Sequence, residues 1–169
     1  MALDVLFYIA SVISIVATLR VITDLHAVHA LLYLVVSLLA IALIFYLLGA
    51  AFAAALEIII YAGAIMVLFV FVIMLLNQGP LTVQQEREWL TPGMWIGPVA
   101  LGVVLLGEVA FIIGSAPLSA GELPRYGPKE VSIRLYGPYV IGLELASFLL
   151  LAGLIGAYHL GRSLPEEKS

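Results

Sequence analysis

The stretch from Leu56 to Leu76, LEIIIYAGAIMVLFVFVIMLL, is apolar over a length sufficient to cross a lipid bilayer. It contains two features that a lipid environment does not require: the carboxylate of Glu57 and the small residues of Tyr61-Ala62-Gly63-Ala64. An ionised carboxylate near a bilayer centre costs at least about 2.5 to 3.5 kcal/mol on insertion scales. We therefore expect Glu57 to face protein or water, and it is a candidate functional residue.

The composition of the whole chain is that of an integral membrane protein. Hydrophobic residues make up 64% of its 169 residues and charged residues 11%, whereas soluble domains carry about 25% charged residues. The net charge of −4 argues against a nucleic-acid partner and against a polybasic lipid anchor. Cysteine is absent, which excludes thiolate-bound iron-sulfur clusters, thiol catalysis and disulfide bonds in this chain.

Five windows of about 20 apolar residues predict transmembrane helices over residues 3–22, 28–48, 51–76, 94–115 and 136–160. The predicted fold is all-α: a bundle of five transmembrane helices in one domain, residues 1–162, with a polar tail at 163–169. Asp4 stands where a cleavable signal would carry basic residues, so we expect the first helix to remain as a membrane anchor.

The connections between the predicted helices differ in length. Gly49-Ala50 is a corner so short that it forces the second and third helices to be antiparallel neighbours. Residues 78–92 are polar and predict an exposed loop. Residues 116–135 contain five glycines and prolines that prevent one continuous helix, and we expect this segment to lie across a neighbouring surface.

The positive charges give a small preference for one orientation in the membrane. The predicted topology places four basic residues on one side and three on the other: Arg20, Arg87, Arg162 and Lys168 against Arg125, Lys129 and Arg134. Because basic residues are enriched in cytoplasmic loops, this count favours an N-terminus outside and a C-terminus inside.

Three glutamate carboxylates lie inside the predicted helices: Glu57, Glu108 and Glu144. At 1.5 Å per residue, each is roughly 9 to 12 Å from the same membrane face, because the helices alternate in direction. Glu57 shares a helix face with Tyr61, which favours a role in proton or water handling over that of a structural carboxylate. For Glu144, near small residues, a proton role and a hydrogen bond to a partner helix both remain open. For Glu108 we favour a structural role, snorkelling or pairing with a neighbouring subunit.

The residues Tyr61 to Ala64 are the point at which the third helix can most easily leave regular geometry. A π-bulge, a form often found at functional positions, and ordinary small-residue helix packing are both compatible with this sequence.

His26 and His29 have the spacing of a metal pair, but only Asp24 is placed to complete a site, so we do not expect a metal.

Long blocks of the chain resemble one protein family. LEIIIYAGAIMVLFVFVIMLLN from Leu56, the preceding HALLYLVVSLLAIALIFYLLGAAFAAALE, and LYGPYVIGLELASFLLLAGLIGAYHLGR from Leu135 are similar to the subunit J family of NADH-quinone oxidoreductases. This family is the bacterial counterpart of the mitochondrially encoded subunit six of respiratory complex I. The resemblance is weakest over residues 114–134 and in the tail.

The resemblance implies a five-span subunit in the membrane arm of a proton-translocating enzyme in the bacterial inner membrane, with a periplasmic N-terminus and a cytoplasmic C-terminus. It implies a π-bulge at Tyr61, Ala62, Gly63 and Ala64 in a helix that switches conformation, with Glu57 and Tyr61 as its polar positions. Glu144 falls in the family's ELAS pattern, whereas Glu108 matches nothing.

The resemblance also implies that the chain is a subunit without a catalytic centre of its own. FMN, iron-sulfur clusters, NADH and quinone would be used by other subunits. The expected partners are the quinone module, the small neighbouring proton-path subunits and the bilayer, with no nucleic acid. Two alternatives remain at this point: a purely structural assembly subunit of the same complex, and an independent small transporter or channel.

Overall fold

The computed structural model describes residues 2–76, 92–114 and 126–161, and within these ranges the chain is all-helical. The elements are α1 (Ala2–Thr23), α2 (Ala27–Leu47), α3 (Ala51–Leu56), a π segment (Glu57–Ile65), α4 (Met66–Leu76), α5 (Pro92–Gly114), α6 (Pro128–Leu135) and α7 (Val140–Gly161). Five helical stretches are long and apolar enough to cross a membrane, and α3, the π segment and α4 together form the third. The predicted five-helix architecture is confirmed.

The chain divides into two compact units, Met1–Tyr126 and Gly127–Ser169. The first contains α1 to α5 and the second contains α6 and α7, and each is described by itself. The single domain over residues 1–162 stays a prediction. The predicted loop at 78–91, the first part of the segment at 116–135 and the polar tail at 163–169 lie outside the described residues.

Helix α2 is the centre of the first unit and packs against α1, α3, the π segment, α4 and α5. Small residues form part of its closest contact, the one with α1: Ala10, Ala17 and Ala40 are fully buried. Small side chains let two helix backbones approach, which strengthens packing where no hydrophobic effect drives association. The hydroxyls of Thr18 and Ser37 also join α1 to α2 at 2.8 Å.

A tight corner at Gly49 reverses the chain between α2 and α3. Gly49 has a φ of 83°, a left-handed conformation that glycine adopts without steric cost. The N–H of Ala50 donates to the Phe45 carbonyl oxygen at 2.9 Å, which closes the end of α2 in the manner of a Schellman motif. The expected antiparallel arrangement of α2 and the third span follows from this geometry.

The second unit begins with a short helix that the sequence did not predict. The N–H of Gly127 donates to the Glu130 carboxylate at 3.0 Å, and Pro128 occupies the first turn of α6, where its missing N–H costs nothing.

Helix α7 begins at Val140, four residues after the predicted start at 136. Pro138 explains this delay, because the residue before a proline is disfavoured in the helical conformation.

Candidate functional site

The third span changes its hydrogen-bonding pattern in its middle. The π segment runs from Glu57 to Ile65 between the α-helical ends α3 and α4. A π segment inside a helix is rare and costs stability, and such segments occur frequently at functional positions. The predicted π-bulge near Tyr61 to Ala64 is confirmed, and the π segment also extends back to the carboxylate of Glu57.

Gly63 is the residue whose lack of a side chain permits this geometry. A Cβ atom at this position would lie 3.1 Å from the carbonyl oxygen of Ile58. Ile58 is five residues earlier, so its carbonyl is the one that the i→i+5 pattern of a π-helix brings beneath residue 63. A side chain at this position would therefore disfavour the π form, whereas glycine tolerates it.

The polar side chains of the π segment lie at its outer surface. Glu57 is half-buried, and the side chain of Tyr61 is half exposed. Ala62 is half-buried and Ala64 is exposed. In the described part of the chain, no hydrogen bond joins the Glu57 carboxyl to the Tyr61 hydroxyl. Both groups are thus available to water or to a neighbouring protein surface.

The π segment lies between α3, which packs on α2, and α4, which contacts α2 but is mostly exposed after its first residue. It packs on α2 and is followed directly by Met66, which is almost fully buried. From Val67 to Leu75 the side chains of α4 are large, apolar and mostly exposed. A helix that is apolar on every side meets lipid equally well in any rotational position. The exposed surface of α4 therefore does not fix its rotation.

Glu108 does not behave as a surface carboxylate. It is 5% exposed, and both carboxylate oxygens are buried without a hydrogen-bond partner among the described residues. Leu105 and Ile112, one turn before and one turn after it, pack into the core formed by α1 and α2. The expectation that Glu108 snorkels is wrong, because its helix turns the carboxyl inwards, whereas its structural role and its pairing with a neighbouring subunit stay predictions.

Glu144 lies on α7, in the second unit, and its side chain is exposed. The nearby Ser147 hydroxyl donates to the Leu143 carbonyl oxygen at 3.0 Å, a bond within its own helix. The hydrogen bond from Glu144 to a partner helix, and its role in a proton path, both stay predictions.

The corner between α1 and α2 contains an acidic group held by two imidazoles. The Asp24 carboxylate accepts a hydrogen bond from the backbone N–H of His26 at 2.9 Å and pairs with the imidazoles of His26 and His29. Among the described residues, no group of three or more histidine, cysteine or acidic side chains has an arrangement able to hold a metal ion. The hydrogen bond and the two ion pairs of Asp24 connect the corner to the start of α2.

Burial on its own would raise the pKa of Asp24, but the hydrogen bond from His26 and the charges of His29 and His26 outweigh it and lower the pKa. A carboxyl whose folded-state pKa is lowered stabilises the folded corner above its unfolded pKa, and this contribution is lost as the pH falls through the folded value.

We expect Asp24→Asn to destabilise the protein by about 1 kcal/mol at neutral pH, because the asparagine keeps the shape but not the charge-assisted bonds. The difference between variant and wild type should hold from about pH 7 down to the unfolded pKa of about 4, and should then shrink as the pH falls through the lower folded pKa of Asp24. Thermal melting in detergent at each pH measures both effects. A difference that stays constant over this range would contradict the assigned pairing.

The sequence did not single out the contact that joins α5 to α2. The Tyr33 side chain is buried, and its hydroxyl occupies the space where a Cβ atom of Gly97 would lie. Tyr33 also meets the His29 ring edge-on, with ring centroids 5.0 Å apart. Gly97 is one of five glycines in α5, and nothing in the sequence indicated which of them accommodates a neighbouring side chain.

Comparison with known proteins identifies the relatives of this chain. The family model described as NADH-ubiquinone/plastoquinone oxidoreductase chain 6 matches residues 17–160. The NADH-quinone oxidoreductase subunit J of Pseudomonas aeruginosa is 58% identical over 157 residues, which cover 92% of this chain and 95% of the relative.

Two further relatives carry the same name. Subunit J of Escherichia coli is 54% identical over 156 residues, covering 92% of this chain and 85% of the relative. Subunit J of Buchnera aphidicola from Schizaphis graminum is 45% identical over 160 residues, covering 95% and 98%. With its five apolar helices, the chain is a multi-pass membrane protein that belongs to the NADH-ubiquinone/plastoquinone oxidoreductase chain 6 family.

Proposed function

We propose that this chain is a membrane-arm subunit of a proton-translocating NADH:quinone oxidoreductase, and that its π segment switches between two helical forms during turnover. The names of its relatives support the first part, and the π segment from Glu57 to Ile65 is the observation that carries the second. A π segment of this kind has a regular α-helix as its natural alternative.

The switch would act by rotation. A π-bulge amounts to one extra residue in a helical turn, and one residue corresponds to about 100° around an α-helix. Relaxing the bulge or moving it along the helix therefore reorients the residues on one side of it by a comparable angle. Helix α4 can accept such a rotation because its exposed surface is apolar on every side.

The rotation would change the direction in which the polar side chains of the π segment point. Glu57 lies at its first position and Tyr61 near its middle, so the two side chains change direction when the hydrogen-bonding pattern changes. In one form they line a path for water and protons with neighbouring subunits, and in the other they leave it. A two-state element of this kind couples distant chemistry to proton movement without carrying electrons itself.

Redox chemistry belongs to other subunits under this proposal. FMN, the iron-sulfur clusters, NADH and quinone bind there, while this chain contributes the gate in the bacterial inner membrane. The quinone module and the small proton-path subunits are its neighbours. Glu144 on α7 is a second candidate for the proton path, beside a neighbouring subunit.

Glu57→Gln tests the proton role of the carboxylate. It keeps the size and hydrogen-bonding capacity of the side chain but removes its ability to exchange a proton. We expect the assembled complex to translocate several-fold fewer protons per NADH oxidised, because general proton transfer by a positioned group is worth ~10²-fold or more. NADH oxidation by an artificial acceptor that bypasses quinone should be unchanged.

Glu130→Gln is the matched control, because Glu130 lies on α6, outside the five candidate spans. It should leave proton translocation at the wild-type level. Wild-type translocation by the Glu57→Gln complex would assign Glu57 a structural role, while leaving the proposed switch of the π segment to its own test.

A further inference from the structure

The carboxyl of Glu108 is the most deeply enclosed acidic group in the described part of the chain. Its side chain is 5% exposed, and neither oxygen has a hydrogen-bond partner among the described residues. Buried polar groups in folded proteins are almost always paired, so an unpaired buried carboxyl requires a specific explanation. The proposed gate does not use this residue.

The surroundings of Glu108 are apolar. It lies on the face of α5 that carries Leu105 and Ile112, and both of these pack into the core cluster. That cluster consists of leucine, isoleucine, valine and alanine side chains, with Tyr33, from α1, α2 and α5. An ionised carboxylate is destabilised far more than a neutral acid in such surroundings, because no solvent or dipole compensates its charge.

Contacts between the helices show which groups lie at the depth of Glu108. Because α2 and α5 are the second and fourth of five spans that alternate in direction, they run the same way, and Tyr33 meets Gly97 near the start of each. Glu108 lies about 16 Å beyond that contact along α5, and Ile44 lies equally far along α2. The neighbouring position on α2 is therefore a hydrocarbon side chain.

Helix α1 supplies a hydroxyl at this depth but not a free proton donor. The bond between Thr18 and Ser37 sets the antiparallel register of α1 and α2, and it places Ser11 opposite Ile44. The Ser11 hydroxyl already donates to the Phe7 carbonyl oxygen at 2.7 Å. The Ser11 hydroxyl is therefore not a free donor for an ionised Glu108, and no described group forms a hydrogen bond with either Glu108 oxygen.

The charged and titratable groups of the two packed helices do not neutralise Glu108. The basic side chains of α1 and α2 are Arg20 and His29, and both lie at the end of these helices opposite to Glu108. At the end near Glu108, three titratable side chains are present on α1 and α2, all exposed on the outside: Asp4, Tyr8 and Tyr46.

We infer that Glu108 is a proton-binding site, a neutral carboxylic acid enclosed between α1, α2 and α5 and distinct from the carboxylate of the π segment. Its ligand is a proton, and it holds this proton at neutral pH because no described group stabilises the ionised form. The site depends on the packing of three helices and not on the proposed rotation, so it stands independently of the proposed function.

Infrared spectroscopy of the assembled complex tests this inference through the carbonyl stretch of protonated carboxyl groups. We compare wild type with Glu108→Gln at neutral pH, and we use Glu130→Gln as the control. The expected result is a protonated-carboxyl band that is missing in Glu108→Gln, retained in Glu130→Gln and shifted in D₂O by exchange of its proton.

A Glu108→Gln complex that loses intensity in the ionised carboxylate bands instead would overturn the inference. Glu108→Asp provides a second measurement that does not depend on assembly of the glutamine variant. It keeps the acid but moves it by one methylene, so the same band should shift in frequency. An unchanged band in Glu108→Asp would also overturn the inference.

Discussion

Replacing Gly63 with leucine is expected to abolish coupled quinone reduction in the assembled complex, and replacing it with alanine to reduce it about 5- to 30-fold. Two effects act in the same direction. A side chain stabilises the α-helical form relative to glycine by up to about 1 kcal/mol. It also destabilises the π form, because its Cβ would lie 3.1 Å from the Ile58 carbonyl oxygen.

Together these effects amount to one or two kcal/mol for alanine, which lowers the ratio of the π form to the α-helical form by a factor of about 5 to 30. Leucine adds the bulk of its branched side chain against the preceding turn. If function requires the π form for part of each cycle, the loss of activity should follow this order. The population of the functional form cannot be restored by more substrate, so the rate constant of turnover should fall while the apparent affinity for quinone changes little.

The measurement is NADH:quinone reductase activity and proton translocation in purified complex, normalised to the amount of assembled enzyme. Gly102→Ala and Gly102→Leu are the controls, because a Cβ on this glycine of α5 meets no atom within 4 Å. Both controls should retain activity. An assembled Gly63→Leu complex with normal coupled turnover would refute the proposed switch.

The five spans and the position of the π segment could be predicted because each depends on local sequence. Bilayer thickness fixes how many apolar residues a span needs. The run from Ala62 to Ala64 has little side-chain bulk, and such a run is where a helix departs from regular geometry at least cost. The start of the π segment at Glu57 could not be predicted in the same way, because packing against α2 contributes to it.

The burial of Glu108 could not be predicted for a related reason. In a soluble helix, the polar residues identify the outer face and periodicity then identifies the inner one. Helix α5 is apolar on nearly every side, because its outer face meets lipid or other subunits. The sequence therefore gave no indication that Glu108 lies on the face of Leu105 and Ile112.

The contact between Gly97 and Tyr33 is expected to be the most sensitive packing position of the first unit. Gly97→Ala places a Cβ atom in the space of the Tyr33 hydroxyl and 3.0 Å from Cζ. Tyr33 cannot easily move, because it is 6% exposed and packs against the His29 ring. Overpacking of this kind costs about 1 to 3 kcal/mol, so we expect a marked loss of thermal stability and of assembled complex.

A double-mutant cycle separates this clash from a general effect of alanine on α5. Tyr33→Phe removes the hydroxyl oxygen but keeps the ring and its contact with His29. Combined with Gly97→Ala, it should recover about 1 kcal/mol, a coupling typical of residues in direct contact. Recovery should remain partial, since the Cζ atom stays close to the new methyl group. Purely additive melting temperatures for the two substitutions would show that α5 does not meet α2 through this pair, and the depth assigned to Glu108 would then lose its reference point.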